Sequence, residues 1–158
     1  MSRNRYTLAA AAIAIGLVAS ACSSSPNSAT KTSSPATATS PAAATQLQSL
    51  IPTPANTQRT DGPNSTADSG IHLHFVVNGS ATDVLNAYQT ALQGKGWAVT
   101  VVASGGWGAT GGATYTGTHG DSYGVFSGGG GRDNITDITA CAWPSKPSNP
   151  NCGGGLPR

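Results

Sequence analysis

The sequence contains no glutamate, and its six acidic residues are all aspartates. Charged residues make up 9% of the chain, against about 25% in an ordinary globular domain. General acid–base catalysis depends on titratable side chains held in matched environments, and the sequence offers no pair of carboxylates in an apolar, buried-looking context. The composition therefore points away from an enzyme.

Large aromatic side chains are also scarce, with two Phe, four Tyr and three Trp in the whole chain. A protein that carries a lipid or glycolipid needs a cavity lined by many large apolar side chains. The shortage disfavours a carrier, which we keep as the alternative to a non-catalytic binding or structural module. A metal-dependent enzyme is a third and less favoured hypothesis.

A long hydrophobic run is missing as well. The longest one, residues 8–19 (LAAAAIAIGLVA), would form about 18 Å of helix, whereas a bilayer core is about 30 Å thick. Arg3 and Arg5 precede this run, and the small residues Ser20 and Ala21 follow it. A basic start, a short apolar core and small residues are typical of a signal peptide, which we place at residues 1–21.

Cysteine occurs three times, and the first cysteine directly follows this signal peptide. The segment VASAC, which ends in Cys22, resembles the lipobox of bacterial lipoproteins that signal peptidase II recognises, with Ala19 where that family prefers leucine. The resemblance implies a diacylglyceryl group on the Cys22 thiol, cleavage just before it, and acylation of the new amino terminus, for example with palmitate. It predicts an exported protein held by lipid on the extracytoplasmic face of the cell membrane.

Lipidation of Cys22 leaves one pair of cysteines, Cys141 and Cys152. Outside the cytoplasm such a pair is expected to form a disulfide, which would stabilise the fold by about 2–3 kcal/mol and pin the C-terminal tail at residues 144–158. A metal-binding pair is the alternative, but no histidine is near either cysteine in the sequence.

The composition divides the rest of the chain in two. Ser, Thr, Ala and Pro dominate residues 22–46, where the prolines oppose a helix and little can be buried, so we predict a disordered tether. Leu47, Leu50 and Ile51 mark the start of one small domain, which we place at residues 47–143.

Within this domain the hydrophobic period changes along the chain. Residues 71–78 (IHLHFVVN) alternate apolar and polar side chains, which predicts a half-buried strand. A helix is predicted over residues 80–94, because Ser80 and Asp83 have capping-box spacing and Gly94 is a natural stop. Further strands are predicted at 97–103, 113–119, 122–128 and 135–143. The predicted fold class is α+β, with one helix packed on a twisted, mainly antiparallel sheet.

Tyr88, Leu92, Gly96 and Trp97 form a Y-x-x-x-L-x-x-x-G-W pattern that resembles a class of small exported bacterial domains. In that class the Tyr, Leu and Trp are core residues, so the resemblance implies a fold and not an activity. As a whole, this short chain rich in Ala, Ser, Thr and Gly is similar to lipoproteins of mycobacteria and related actinobacteria.

His72 and His74 are the candidate metal ligands. Alternate residues of a strand point the same way, so both imidazoles can approach one ion, with His119 or Asp121 as a third ligand. The exposed polar face of a half-buried strand explains the same pattern and is the interpretation we favour. No metal or other cofactor is therefore predicted.

Three further motifs have simpler explanations. Residues 106–111 (GWGATG) fit the G-x-G-x-x-G pattern, but a nucleotide site needs a helix straight after it, and a strand is predicted there. Residues 119–122 (HGDS) suit a tight turn better than a catalytic triad, whose members need separate supports. Trp107, set among glycines, either contacts a partner or folds back on the sheet.

From Cys22 onwards the chain has six basic and six acidic residues. A net charge of zero gives no electrostatic attraction to nucleic acid. The predicted partners are the membrane, through the lipid on Cys22, and an envelope protein or wall component of unknown identity. We therefore expect a membrane-anchored lipoprotein of the cell envelope whose domain is a non-catalytic binding or structural module.

Overall fold

The computed structural model describes residues 40–106 and 111–152. Cys22 and Trp107 lie outside the described residues, so the predictions for them are not addressed by the fold. The described elements, in chain order, are α1 (Pro41–Leu50), β1 (Thr57–Ser65), β2 (Ile71–Asn78), α2 (Ala81–Gly94), β3 (Ala98–Gly105), β4 (Gly112–His119), β5 (Ser122–Gly130) and β6 (Ile135–Trp143).

The strands form one six-stranded sheet in the order β1-β2-β6-β5-β4-β3, and every neighbouring pair is antiparallel. Strands β3 to β6 make a meander, and β6 then pairs with β2, which joins the meander to the β1–β2 hairpin. The helices pack on one side of the sheet, which we call the core face, and the opposite side is the open face. The predicted α+β class is confirmed.

Helix α2 begins as its sequence predicts. The Ser80 hydroxyl accepts a hydrogen bond from the backbone N–H of Asp83 at 3.3 Å and donates one to the Asp83 carboxylate at 2.7 Å. The cap satisfies a backbone donor that the first helical turn leaves without a partner. The buried residues of α2 recur at the helical period and face the sheet: Ala81, Leu85, Tyr88 and Leu92.

The core lies between the helices and the core face of the sheet. Strand β2 alternates as predicted, with its apolar side chains buried in this core: Ile71, Leu73, Phe75 and Val77. Trp97, just before β3, closes one end of the core, where its ring meets Phe126 edge to face at 5.1 Å between centroids. Tyr88, Leu92 and Trp97 of the Y-x-x-x-L-x-x-x-G-W pattern are thus core residues in this fold, whereas Gly96 is exposed.

The structure contains a second helix, α1, which corrects the prediction of one helix. It starts at Pro41, inside the segment 22–46 predicted to be a tether, and before the predicted domain boundary at 47. Proline is compatible with the first turn of a helix, and Leu47 and Ile51 are buried against the core. Tertiary packing therefore stabilises a helix that composition alone disfavours. Neither helix in the described part of the chain is long and apolar enough to cross a membrane.

Strand β1 was not predicted, because it has no apolar alternation and contains the Gly62–Pro63 peptide bond, which is cis. Most of its residues are exposed, and its pairing with β2 is interrupted by two irregularities in register. Proline and bulges are tolerated at the edge of a sheet. Hydrogen bonding to β2, and not burial, explains why this polar segment is a strand.

Candidate functional site

The open face carries the polar side chains of β2 and its neighbours. His72 and His74 both point to this face, as the alternation predicts, and both are partly buried. In the neighbouring strand β6, Cys141 is the direct partner of His72, and Thr139 is the partner of His74. The two histidines therefore have different surroundings, although they are adjacent on one face.

His74 lies between two carboxylates. Its Nδ1 is 3.4 Å from an oxygen of Asp61 on β1, and its Nε2 is 3.1 Å from an oxygen of Asp137 on β6. The second contact is within ion-pair distance but lacks the angles of a hydrogen bond. Arg59 also contacts Asp61, at 3.0 Å. This arrangement holds the imidazole of His74 in place through its charged neighbours.

His72 lies beside the two cysteines. An imidazole nitrogen of His72 and the sulfurs of Cys141 and Cys152 are all within 4.8 Å of one another. Burial, and then the nearby His74, lower the pKa of His72 below its ordinary value, which favours the neutral imidazole. The sequence places no histidine near the cysteine pair, but in the fold His72 lies beside it. The β2–β6 register brings together these residues, which are far apart in sequence.

His119 and Asp121 do not join the histidine pair. Strand β4, which ends at His119, is three strand spacings from β2 in the sheet, or about 14 Å at 4.7–4.9 Å per spacing. His119 packs instead against the Trp97 ring, with 5.7 Å between ring centroids. The structure thus separates the predicted third ligands from His72 and His74.

The HGDS and GWGATG motifs have the structural context that the sequence predicts for them. His119 pairs with Ser122 across a tight turn, in which Gly120 has a φ of 57°. The GWGATG segment is followed by strand β4 and not by a helix, so the phosphate-binding context that the nucleotide motif requires is not present there.

Cys141 and Cys152 are bonded as a disulfide, with 5.7 Å between their Cα atoms. The bond lies over a small second cluster of buried side chains on the open face, formed by Val125, Cys141 and Trp143. The Trp143 indole N–H donates a hydrogen bond to the carbonyl of Ala67 at 3.0 Å. The predicted disulfide pinning of residues beyond β6 therefore has a structural basis up to residue 152, the last one described.

A groove of about 420 Å³ runs between α2 and the segment before β1. Apolar side chains of α2 line it, among them Val84, Ala87 and Ala91. The other lining residues include three asparagines, Asn56, Asn78 and Asn134. Apolar walls with a few polar groups are typical of sites for small or extended ligands, and amides can donate and accept hydrogen bonds without carrying charge. We call this feature the α2 groove.

Tyr88 lines the α2 groove, but its ring is buried and its hydroxyl has no hydrogen-bond partner among the described residues. Burial raises the pKa of Tyr88 far above its ordinary value. An unpaired buried hydroxyl costs about 1–3 kcal/mol. We therefore predict that Tyr88→Phe leaves the free energy of unfolding unchanged or raises it by about 1 kcal/mol, measured by urea denaturation.

Tyr115→Phe is the matched control for this prediction. The Tyr115 hydroxyl is also buried, but it donates a hydrogen bond to the carbonyl of Leu85 at 3.3 Å. Its removal should lower the free energy of unfolding by about 1 kcal/mol. A loss of stability in Tyr88→Phe equal to that of the control would contradict the structure, because it would mean that the Tyr88 hydroxyl has a partner.

No protein-family model matches this chain, and neither a curated protein nor a solved structure shows significant similarity to it.

Proposed function

We propose that this protein is an exported lipoprotein of the bacterial cell envelope, anchored on the extracytoplasmic face of the membrane by lipid on Cys22. The observation that carries the proposal is that two of the three cysteines are bonded to each other. Cys141 and Cys152 are paired with each other, so Cys22 is the one cysteine left over. An odd cysteine in an exported chain asks for a covalent role, and lipidation directly after a signal peptide supplies one.

The anchor makes a sharp prediction for Cys22→Ala, in which no acyl chain can be attached. Each buried methylene contributes about 0.8 kcal/mol to membrane binding, and the variant lacks this contribution. The variant should therefore carry no acyl groups and keep an uncleaved signal peptide, so that any membrane association it retains comes from the apolar run 8–19 and not from lipid. Detergent partitioning of cells, with mass spectrometry of the amino terminus, measures both effects.

The double variant Cys141→Ser with Cys152→Ser is the control for this experiment. It removes the same kind of side chain but leaves the lipobox-like segment intact, so it should partition with membranes like the parent. Membrane association and processing that persist in Cys22→Ala would defeat the proposed anchor, whatever the folded domain does.

The domain itself we propose to be a non-catalytic module that binds an envelope protein or a wall component. The α2 groove supports this role, because it combines an apolar wall with amide groups and the carboxylate of Asp83, and so offers both apolar and polar contacts to a segment of an extended ligand. The open face of the sheet, with its histidines and carboxylates, offers a second and more polar surface.

A lipid carrier is less well supported, because the space between the helices and the sheet is filled by core side chains, where the Tyr88 ring contacts the rings of Phe75 and Phe126. The α2 groove, at about 420 Å³, is near the lower end of the usual 300–1,000 Å³ for small-ligand pockets. Native mass spectrometry of protein purified from its own envelope separates the two roles. Acyl groups on Cys22 alone favour the binding module, and a stoichiometric further lipid favours the carrier.

A further inference from the structure

The cluster of His72, Cys141 and Cys152 has no role in the proposed anchoring or binding. Its three candidate ligand atoms lie within 4.8 Å of one another, and they belong to three separate parts of the chain: β2, β6 and the segment after β6. Two sulfurs and one imidazole nitrogen are the ligand types that Zn²⁺ prefers in proteins. We call these residues the His–Cys cluster.

The geometry fits one tetrahedral ion once the sulfurs separate. Zn–S distances of about 2.3 Å place two thiolate sulfurs about 3.8 Å apart in a tetrahedral site, with the imidazole nitrogen about 2.1 Å from the metal. Cys141 is fully buried in β6, between β2 and β5, and is held firmly. Cys152 follows the last strand and is only partly buried, so it is the residue that can move outwards.

We propose that reduction of the Cys141–Cys152 disulfide converts the His–Cys cluster into a Zn²⁺ site, with Cys141, Cys152 and His72 as protein ligands and water in the fourth position. A dithiol is the reductant. It gives two electrons and two protons to the disulfide, becomes a disulfide itself, and leaves two thiols on the protein. Zn²⁺ then displaces one proton from each thiol as the two metal–sulfur bonds form.

The structure provides a route to the sulfurs. Cys152 lines a trough of about 380 Å³ on the open face, together with Ser127, Gly129, Asp137 and Thr139. A dithiol entering this trough meets Cys152 and not the buried Cys141, so the thiolate attacks Cys152 and Cys141 leaves. The carboxylate of Asp137 gives the trough a negative charge, which favours the entry of a cation.

His72, and not His74, supplies the third ligand. His74 is hydrogen-bonded to Asp61 through Nδ1, and its Nε2 lies within ion-pair distance of Asp137; its strand partner is Thr139 and not a cysteine. His72 faces Cys141 directly. Replacement of His72 should therefore weaken metal binding, whereas replacement of His74 should not. His119 lies at the far side of the sheet, so its replacement serves as the control.

The test uses the full chain carrying Cys22→Ala, so that Cys141 and Cys152 are its only cysteines. The protein is reduced with a phosphine, titrated with Co²⁺ under exclusion of oxygen, and then challenged with Zn²⁺. We expect one Co²⁺ per chain, a thiolate-to-cobalt charge-transfer band, the visible bands of tetrahedral Co²⁺, and loss of all bands when Zn²⁺ is added. The oxidised protein should show none of them.

Variants identify the ligands. His72→Ala should weaken Co²⁺ binding by more than about tenfold, since even the loss of a group behind a ligand costs 10–100-fold, whereas His119→Ala should bind like the parent. Cys152→Ser should lose charge-transfer intensity while its circular dichroism keeps the folded signature. Three results would overturn the proposal: no charge-transfer band in the reduced parent, equal binding by the oxidised protein, or equal affinities of His72→Ala and His119→Ala.

Discussion

Replacing Trp97 with alanine should lower the free energy of unfolding by about 3–5 kcal/mol. The Trp97 side chain is 2% exposed, and its indole N–H donates a 2.8 Å hydrogen bond to the carbonyl of Leu50, at the end of α1. The variant thus loses core packing against Phe126 and the bond that connects the start of β3 to α1. Because a small domain has only about 5–15 kcal/mol of stability, we expect a large fall in the urea midpoint or a chain that does not fold.

Two further variants separate these contributions. Trp97→Phe keeps an aromatic ring but leaves the Leu50 carbonyl without its donor, so it should cost less than Trp97→Ala. Val102→Ala removes a side chain that is 60% exposed and should change the stability by no more than about 0.5 kcal/mol. A Trp97→Ala protein as stable as Val102→Ala would show that this tryptophan does not hold α1 on the core.

In β2 and α2 local signals and burial agree, whereas β3, which was also predicted, is mostly exposed. Strand β2 alternates apart from Val76 and is buried on one side, and α2 has the predicted cap at Ser80. The helix ends at Gly94 as predicted, but Gly94 is itself helical, and the glycine with a positive φ, of 93°, is Gly96, which follows the C-cap residue. The patterns of β2 and α2 reflect the single core that they share, so the sequence alone identifies them. The signature residues Tyr88, Leu92 and Trp97 are part of this same core.

The missed elements lack such agreement. Strand β1 owes its conformation to pairing with β2, which no pattern within Thr57–Ser65 reveals. Helix α1 consists of small and polar residues and is held by a few contacts, such as the burial of Leu47. For both segments the decisive interactions come from residues distant in the sequence, and composition favoured a different state.

The His–Cys cluster could not be found from the sequence for a related reason. His72 and Cys141 become neighbours through the register of β2 with β6, and a shift of one residue would turn either side chain to the core face. The sequence gives the direction of each side chain, through alternation, but not the pairing. The histidine pair itself was predicted on the correct face, with the wrong third ligands.

Two glycines of β5, Gly124 and Gly128, lie directly beneath the aromatic core and α2. The strand predicted at 122–128 is two residues longer in the structure, where β5 extends to Gly130. A Cβ at Gly124 would lie 2.5 Å from Phe126 Cζ and 2.9 Å from Trp97 Cζ3, and one at Gly128 would lie 2.7 Å from Leu85 Cδ2 and 2.8 Å from the carbonyl oxygen of Asp137. Because these glycines have no side chain, the aromatic core and α2 can occupy the space above them.

We therefore expect Gly124→Ala and Gly128→Ala each to lower the free energy of unfolding by about 1–3 kcal/mol, the usual cost of overpacking. The two positions meet different neighbours, so the double variant should lose about 2–6 kcal/mol. Urea denaturation followed by circular dichroism measures the stability of all three variants. The circular dichroism signal comes from the whole domain and not from one tryptophan.

Gly129→Ala is the matched control in the same strand. A Cβ there faces the other side of the sheet, and among the described residues it meets only the carbonyl oxygen of Gly111, at the ordinary contact distance of 3.7 Å. Alanine also loses less backbone entropy on folding than glycine, by roughly 0.5–1 kcal/mol. Gly129→Ala should thus be as stable as the parent or slightly more so. Equal losses in Gly124→Ala, Gly128→Ala and Gly129→Ala would mean that β5 needs glycine for its backbone and not for the space beneath α2.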